Sequence, residues 1–503
     1  MLNNPIDNLN KKDLMFNVPK YRIKKLNEHP VNENGDFVLY WMTSNRRTQW
    51  NFSLDRAIMW AQQLGKPLIV LEALRVGQKW ACERFHNFVM DGMRDNRQAL
   101  KGTGAFYYPY IEPVLGAGKG LLKELSGKAC VIISDYFPCF FLPKMTLAAS
   151  LQVACWMDQV DSNGLLPLFE TDQVFVRAFS FRRYLQKQLP TYILEAPSCA
   201  PLTYRKLRTL ERIPENILSQ WPPIEDALLD SSNRDLSKLP IDHNVRAVSK
   251  RGGAIAATET LSIFVNQRLP GYASNRNHPD IPSTSGLSPY LHWGHISVHE
   301  IFWSLMRFED WTPSRLSTKT DGKRSGWWGA SENTEAFLDE LITWRELGYN
   351  MCSLRSDYDS CESLPEWARE TLSEHQNDTK EYLYGLEDLE KARTHDPIWN
   401  SAQRELVNTG VIHNYLRMLW GKKVLEWTPN PQKALEIMIE LNNKYALDGR
   451  NPNSYTGIFW TLGRYDRPWG PVRSIFGKIR YMSSTRTREK LKMANYLRTY
   501  LTD

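Results

Sequence analysis

The chain of 503 residues is predicted to consist of an α/β N-terminal domain with a doubly wound, Rossmann-like parallel sheet and an all-helical C-terminal domain. In the first third, short apolar runs alternate with helical patterns, the arrangement that builds a parallel sheet covered by helices. From Gly252 nearly to the end, apolar residues recur at three- and four-residue spacing, which is typical of helices. A basic and then proline-rich stretch separates the two patterns. We therefore expect an N-terminal extension over 1–34, the α/β domain over 35–175, an interdomain linker over 176–245 and the helical domain over 246–503.

Four apolar runs predict the strands, at residues 37–41, 67–71, 131–134 and 153–156. The residues before them are polar and contain no secretory signal, so the extension is expected to be loose. The clearest helical patterns cover 335–350, 397–408, 413–427 and 431–441. The glycine-rich loop from Gly116 to Gly120 lacks the GxxxxGK(S/T) spacing of a phosphate-binding loop, and we interpret it as a helix-entry turn. A nucleotide-dependent enzyme built around this loop is an alternative, which would leave the helical half unexplained.

Composition and charge narrow the class of protein. No apolar run approaches the roughly 20 residues of a membrane span, and we expect an intracellular protein of the cytoplasm and nucleoid, or of the nucleus in a eukaryote. Seven cysteines without a CxxC pair argue against a disulfide framework and a structural zinc site. His292, His295 and His299 have no acidic or cysteine partner at ligand spacing, so we expect no metal site. The net charge of +7 suits a polyanionic partner.

The chain contains 18 tryptophans, and some of them follow a helical spacing. Glu340 and Trp344 are four residues apart and should project from the same face of a helix. Trp420 and Trp427 lie two turns apart on another predicted helix. Such a stripe usually packs in a core. Together with Trp399 on the preceding helix, it would also provide the closely spaced oxidisable rings of an electron-hopping chain.

Two polar segments near the C-terminus are candidates for ligand binding. Residues 441–453 leave a helix for a turn rich in Asn, Asp, Gly and Pro, whose side chains either cap the turn or hydrogen-bond the polar edge of a heterocycle. From Arg464 to Lys492, nine Lys or Arg residues face two acidic ones, with aromatic residues interleaved. Cations that hold phosphates beside rings that stack on bases are typical of nucleic-acid binding, and a solvated basic surface is the alternative.

Several long motifs resemble those of one family and occur in its order. In the first domain they are VLYWM at 38–42 with Arg46 and Arg47, and DQVD at 158–161. In the helical domain they are Tyr272 with Arg276 and Asn277, LSPYLH at 287–292, THDP at 394–397, LDGR at 447–450 and FGKIRYM at 476–482. Over most of its length the chain resembles the class II cyclobutane pyrimidine dimer photolyases of the photolyase and cryptochrome superfamily. It departs from the usual residues of that class at Trp293, His295, Leu419, Asn443 and Tyr465.

The resemblance implies an antenna domain followed by a helical domain that binds FAD. The residues matching those that hold the FAD phosphates are Tyr272, Thr284, Ser285, Gly286, Leu287 and Ser288. Asn442 matches the residue facing the reactive flavin nitrogen, and Arg417 with Asp448 matches the ion pair beside the isoalloxazine ring. Gly449 and Trp344 complete the expected cofactor contacts. A deazaflavin antenna chromophore is the expectation for the class, although the first domain contains no diagnostic motif for it.

The resemblance also implies a substrate site. Glu340 resembles the acid that hydrogen-bonds the dimer, and Trp344 and Trp460 resemble the two aromatic walls of its pocket. Asn277 and Arg467 fall on positions that support the lesion or its strand. A fused dimer stacks poorly in the duplex, so its extrusion into such a pocket costs less than flipping a normal base.

The implied activity is light-driven repair of cyclobutane pyrimidine dimers in double-stranded DNA by a monomeric enzyme, through electron transfer from excited, reduced FAD. Trp420, Trp399 and Trp427, in that order outward from the flavin, match the photoreduction chain, which Tyr384 extends. A cryptochrome-like blue-light sensor and a photolyase for a different photoproduct are the alternatives.

Overall fold

The computed structural model describes residues 18–203, 205–231 and 234–501. Its N-terminal part is built on one six-stranded sheet with the order β1-β6-β5-β2-β3-β4. The strands are β1 (Ile23–Lys25), β2 (Phe37–Met42), β3 (Leu68–Leu74), β4 (Phe106–Ile111), β5 (Ala129–Asp135) and β6 (Trp156–Val160). Strands β2 to β6 pair in parallel, and β1 pairs antiparallel with β6. The chain winds outward from β2 in one direction and then from β5 in the other, which confirms the doubly wound prediction.

Two strands escaped prediction, and each has a physical reason. β1 is only three residues long and two of them are lysines. β4 contains Pro109, and it lies at the edge of the sheet, where a residue without an N–H group is tolerated. β6 also begins only at Trp156, the last residue of the predicted run.

The prediction of a loose N-terminal extension is wrong for its described part. β1 belongs to the sheet, and the buried Arg22 donates hydrogen bonds to the carbonyl oxygens of Gly164 at 3.2 Å and Leu165 at 2.8 Å. Residues 1–17 of the predicted extension lie outside the described residues.

The central strands are buried on both faces, as continuous apolar runs predict. Side chains such as Tyr40, Val70 and Val131 pack under helix α1 (Phe52–Leu64). Residues from the other face, including Leu39 and Ile132, pack with helix α3 (Leu121–Ser126). The two further helices of this part are α2 (Glu83–Leu100) and α4 (Leu142–Ser150).

The predicted linker, 176–245, packs against both parts of the protein. It contains helices α5 (Ala178–Tyr192), α6 (Glu215–Gln220) and α7 (Asp226–Leu229). Phe181 on α5 belongs to the core of the helical part, whereas Ile217 and Trp221 pack against the sheet. The linker therefore fixes α5 beside the helices that follow it.

The rest of the described chain is helical, as predicted. Its α-helices are α8 (Gly253–Ile263), α9 (Tyr272–Asn275), α10 (Ser288–Trp293), α11 (Val298–Phe308), α12 (Glu332–Leu338), α13 (Arg345–Leu354), α14 (Glu366–Glu374), α15 (Leu386–Glu390), α16 (Pro397–Thr409), α17 (Asn414–Trp427), α18 (Pro431–Tyr445), α19 (Pro452–Thr461), α20 (Ser484–Lys490) and α21 (Ala494–Tyr500). Two stretches, Phe264–Arg268 and Asp339–Trp344, are π-helical. The second lies between α12 and α13, so the predicted helix over 335–350 contains one wide turn.

No helix within the described ranges is both long enough and apolar enough to cross a membrane.

Candidate functional site

A cavity of about 850 Å³ opens between the helical part and the start of the linker. It is lined by all five residues that the sequence assigned to the substrate or its strand, namely Asn277, Glu340, Trp344, Trp460 and Arg467. They come from chain segments up to 190 residues apart, which only the tertiary fold brings together. Arg417 and Tyr465 line the same cavity.

Glu340 and Trp344 both lie in the π-helical turn, on the cavity side. The Nη1 atom of Arg276 donates a hydrogen bond of 2.8 Å to the Oε1 atom of Glu340. The Arg276 guanidinium also lies 5.5 Å from the centre of the Tyr272 ring. Removal of the carboxyl group from bulk water raises the pKa of Glu340, and the positive charge of Arg276 opposes that rise.

Trp460, the second aromatic wall, lies beside two basic side chains: Lys422, which no sequence motif indicated, and Arg480 of the FGKIRYM motif. The buried Lys422 donates from Nζ to the Thr461 carbonyl oxygen at 2.7 Å, and Nζ lies 4.9 Å from the centre of the Trp460 ring. Burial lowers the pKa of Lys422 to about 7. The Arg480 guanidinium lies 5.5 Å from the same ring and pairs with Asp466 at 2.8 Å. These contacts fix the position of the wall.

Arg417 and Asp448 form the predicted ion pair, with Nη2 2.9 Å from Oδ1 and 3.2 Å from Oδ2. The buried Nε atom of Arg417 has no hydrogen-bond partner among the described residues. Asn442 is buried and does not line the cavity. A Cβ atom on Gly449 would lie only 2.8 Å from the Asn442 carbonyl oxygen, so a side chain at this position would force the turn apart.

Asn443, where the sequence departs from its class, holds the same turn. Its Oδ1 atom accepts from the Arg450 backbone N–H at 2.8 Å, and its Nδ2 atom donates to the Tyr455 hydroxyl at 3.3 Å. The departure therefore keeps a polar, buried contact that supports the turn.

Two cations that the sequence did not reveal, Arg268 and Lys250, lie beside the segment from Thr284 to Ser288. Arg268 donates from Nη1 to the Thr284 carbonyl oxygen at 3.2 Å. A Cβ atom on Gly286 would lie 4.0 Å from both the Arg268 Nη1 atom and the Lys250 Nζ atom, and Gly286 has a φ of +70°. Burial, and secondarily the charge of Arg268, lowers the pKa of Lys250. A glycine turn between two cations is suited to phosphate.

The predicted tryptophan chain is continuous. The rings of Trp420 and Trp399 are nearly parallel, at 5°, with centres 6.3 Å apart, and those of Trp399 and Trp427 are 5.8 Å apart. All three are buried, so they are core residues as well as neighbours at hopping distance. Tyr384 lies 5.6 Å from Trp427 and forms a hydrogen bond of 2.8 Å with the Nδ1 atom of the exposed His395. The row leads from the interior to the surface.

The basic stretch from Arg464 to Lys492 divides into core and surface residues. Arg464 is buried and donates to the Tyr358 carbonyl oxygen at 2.8 Å, and Phe476 also packs in the core. These two side chains are therefore unavailable to a ligand. Six other cations and rings of the stretch line a second cavity of about 390 Å³ that shares Trp460 with the first, namely Trp469, Arg473, Arg480, Tyr481, Arg486 and Lys490.

Two of the three histidines, His292 and His295, and the glycine-rich loop contact the surrounding protein. His295 accepts at Nδ1 from the Gly253 backbone N–H at 2.9 Å, and burial lowers its pKa to about 3. His292 lies 3.1 Å from the Asn451 side-chain amide. In the glycine-rich loop, the backbone N–H groups of Gly116 and Gly118 donate to the Glu112 carboxylate, as in a self-contained turn.

A smaller cavity, of about 100 Å³, lies at the carboxyl ends of β2 and β3, beside the point where the sheet reverses its winding. Ligands of doubly wound folds bind at this position. The lining includes Trp41, Arg46, Arg75, Phe141, Trp293 and Arg450. Trp293, another departure from the class, donates from Nε1 to the Leu447 carbonyl oxygen at 2.9 Å and closes the cavity toward the helical part.

No family model matches this chain. It is 34% identical to the deoxyribodipyrimidine photo-lyase of Methanothermobacter thermautotrophicus over 481 residues, which cover 95% of this chain and 97% of that protein. It is 30% identical to the enzyme of the same name from Arabidopsis thaliana, over 94% of this chain and 91% of that protein. It is also 30% identical to the enzyme of that name from Potorous tridactylus, over 97% of this chain and 85% of that protein.

Solved structures with the same fold include a class III photolyase from Agrobacterium tumefaciens, with a TM-score of 0.64 and 17% identity over 93% of this chain and 86% of that one. A cryptochrome from Synechocystis has a TM-score of 0.63 and 14% identity, over 92% and 88%. At these identities they support the two-part architecture alone. The nearly full-length relatives at 30% identity or more show that the chain belongs to the photolyase and cryptochrome family.

Proposed function

We propose that the chain is a deoxyribodipyrimidine photo-lyase of the class II type, which repairs cyclobutane pyrimidine dimers in DNA under blue light. The observation that carries this proposal is the convergence of Glu340, Trp344 and Trp460 on one cavity, together with Asn277 and Arg467. An acid between two aromatic walls suits an extruded pair of bases, whose faces stack and whose polar edges accept or donate hydrogen bonds. A light sensor has no need of this combination.

The family implies a flavin cofactor, and the residues present fit FAD. The buried Nε donor of Arg417 lacks a partner among the described residues, as expected of a group that binds a ligand. Lys250 and Arg268 beside the turn at Gly286 supply the charge for a pyrophosphate. When bound, FAD supplies the light-driven electron transfer that splits the dimer. The chain binds and orients it and offers the Trp420 row as a path to the surface.

The proposal is tested with purified, FAD-loaded and chemically reduced protein under blue light. We expect it to restore DNA that contains cyclobutane pyrimidine dimers, and failure to restore it would refute the proposed function. DNA that contains other ultraviolet photoproducts, assayed in parallel, tests the lesion preference, because Tyr465 lines the cavity where the class usually has histidine.

We also propose an antenna chromophore of the deazaflavin type at the smaller cavity. Its aromatic and arginine lining suits a planar anionic ring system, but about 100 Å³ is small for three fused rings, so side chains of α4 and the preceding loop must move to admit it. The absorption spectrum of the protein as purified tests this, since an antenna adds a band that FAD does not have.

A further inference from the structure

The mouth of the large cavity has a part that neither the tryptophan walls nor the basic C-terminal stretch accounts for. We call it the linker rim. It is made by the start of α5 and the loop 321–324, and its residues are Arg177, Phe179, Lys323 and Arg324, all of which line the cavity. None of them belongs to a motif on which the family resemblance rests.

The linker rim is held in one arrangement. Arg182 on α5 donates to the Gly322 carbonyl oxygen at 3.2 Å and pairs with Asp339 at 2.7 Å. Gln186, one turn later, accepts from the Gly322 N–H at 2.7 Å and donates to the Lys323 carbonyl oxygen at 3.1 Å. Gly322 has a φ of +79°, and a Cβ atom there would lie 3.0 Å from the Phe179 carbonyl oxygen. Because Asp339 precedes Glu340, the rim is tied to the turn that carries the candidate lesion acid.

The side chains of the linker rim face solvent. Arg177, Lys323 and Arg324 are exposed, and 56% of the Phe179 surface is accessible. The charge of Arg324 opposes the rise in the pKa of Glu340, which shows that this rim cation lies within electrostatic range of the cavity interior. Cations around an accessible aromatic ring are the combination that binds single-stranded nucleic acid, through phosphates and base stacking.

We propose that the linker rim binds the strand that carries the dimer, with Arg177, Lys323 and Arg324 on its phosphates and Phe179 stacked on a base next to the lesion. This inference rests on the proposed function. A dimer extruded into the cavity remains joined to its strand on both sides, so that strand must cross the mouth where the rim lies. The basic C-terminal stretch then supports one part of the strand and the linker rim another.

The test is a pair of matched charge reversals. Arg177→Glu with Arg324→Glu changes the rim, and Lys187→Glu with Lys319→Glu makes the same change in net charge at exposed positions of α5 and of the segment between α11 and α12 that do not line the cavity. Binding to a single-stranded oligonucleotide with one dimer, and to its duplex, is measured in the dark by fluorescence anisotropy over a range of salt. We expect the rim variant to bind both DNAs at least about tenfold more weakly than the wild type, and the control variant to bind them less than about threefold more weakly. The slope of the logarithm of the binding constant against the logarithm of the salt concentration should become less steep by about two in the rim variant, because two phosphate contacts are lost.

Phe179 is tested separately. Phe179→Ala should weaken binding to the same oligonucleotide, Phe179→Trp should retain it, and abasic sites on both sides of the dimer should abolish the difference between Phe179→Ala and the wild type. Persistence of the difference without the neighbouring bases would overturn the stacking role.

Two outcomes of the charge reversals contradict the proposal. The rim variant could bind like its control, or its loss could be confined to the duplex, which would assign the rim to the complementary strand. Repair and dimer preference of the wild-type holoenzyme are measured in the same preparations. A wild type without dimer preference refutes the proposed function, whereas a repairing wild type with an unaffected rim variant refutes only the rim.

Discussion

Arg276 and Glu340 meet at 2.8 Å although they are 64 residues apart in the chain, and the arginine also lies over the Tyr272 ring. Tyr272 was expected at the FAD phosphates and Glu340 at the lesion. Arg276 therefore joins the two parts of the candidate site, and its own role was not predicted. The pairing leaves the second Glu340 oxygen for a substrate in the cavity.

Glu340→Ala is expected to slow light-driven repair at least about tenfold, because a lost hydrogen bond to the dimer costs about 1.4 kcal/mol or more, which is a factor of ten in rate. Glu340→Gln, which retains hydrogen-bonding atoms, should lose less. The initial repair rate under fixed illumination is compared with the flavin absorption spectrum. Loss of flavin from the alanine variant would mean that Glu340 holds the cofactor and not the dimer.

Trp420→Phe is expected to block photoreduction of the oxidised flavin and to spare repair by prereduced enzyme. Phenylalanine keeps the packing of this buried position but is far harder to oxidise than tryptophan. Photoreduction is followed by flavin absorbance in the presence of an external reductant, with Trp303→Phe, outside the row, as the control. Equal photoreduction in both variants would point to another electron path.

Lys250→Gln and Arg268→Gln are expected to weaken FAD binding about tenfold each, because each removes a charge-assisted contact to phosphate. Riboflavin has no phosphate, so its weaker binding should change little. Both affinities are measured by flavin fluorescence quenching on flavin-free protein. A similar loss for riboflavin would place the two cations at the ring system or in the fold.

Lys422 is expected to make stability depend on pH. Its pKa is about 7 in the folded protein against 10.5 as the ordinary value, so the unfolded chain binds more protons between these pH values. The free energy of unfolding should therefore rise as pH increases from about 7 to 10.5, by on the order of 5 kcal/mol at most.

Lys422→Met should flatten this rise, since neither state then gains a proton at the site. Urea denaturation at pH 7, 8.5 and 10 measures the effect, with Lys433→Met at an exposed position of α18 as the control. An unchanged slope in Lys422→Met would show that the amine is not the titrating group.

The parts of the fold that periodicity determines were predictable. Helices α16, α17 and α18 begin within one residue of their predicted starts, because each has a proline or a polar residue at its entry and an apolar face behind it. β1 and β4 were missed, since a lysine-rich edge strand of three residues and a strand with proline carry no such pattern.

The candidate site likewise contains residues that the sequence predicted and residues that it did not. Glu340, Trp344 and Trp460 were identified through motifs, and the structure brings them to one cavity. The sequence did not indicate the roles of Lys422, Arg268 and the linker rim, because these roles depend on contacts with other segments of the chain. Lys422 lies beside the Trp460 ring and Arg268 donates to the Thr284 carbonyl oxygen only because the helices pack as they do. No local sequence pattern predicts such contacts.

Because of the wide turn at Asp339–Trp344, the site depends on the number of residues in this segment as well as on their identity. A π-helical turn accommodates one residue more than the α-helix around it. Deleting a single residue there, such as Thr343, would close the wide turn into a regular helix and change the direction of Glu340 relative to Trp344 by about 100°. Glu340 and Trp344 would then not both keep their places, one beside Arg276 and the other in the cavity wall, while every hydrophobic residue remained. The spacing of this turn is thus as much a part of the site as the side chains it carries.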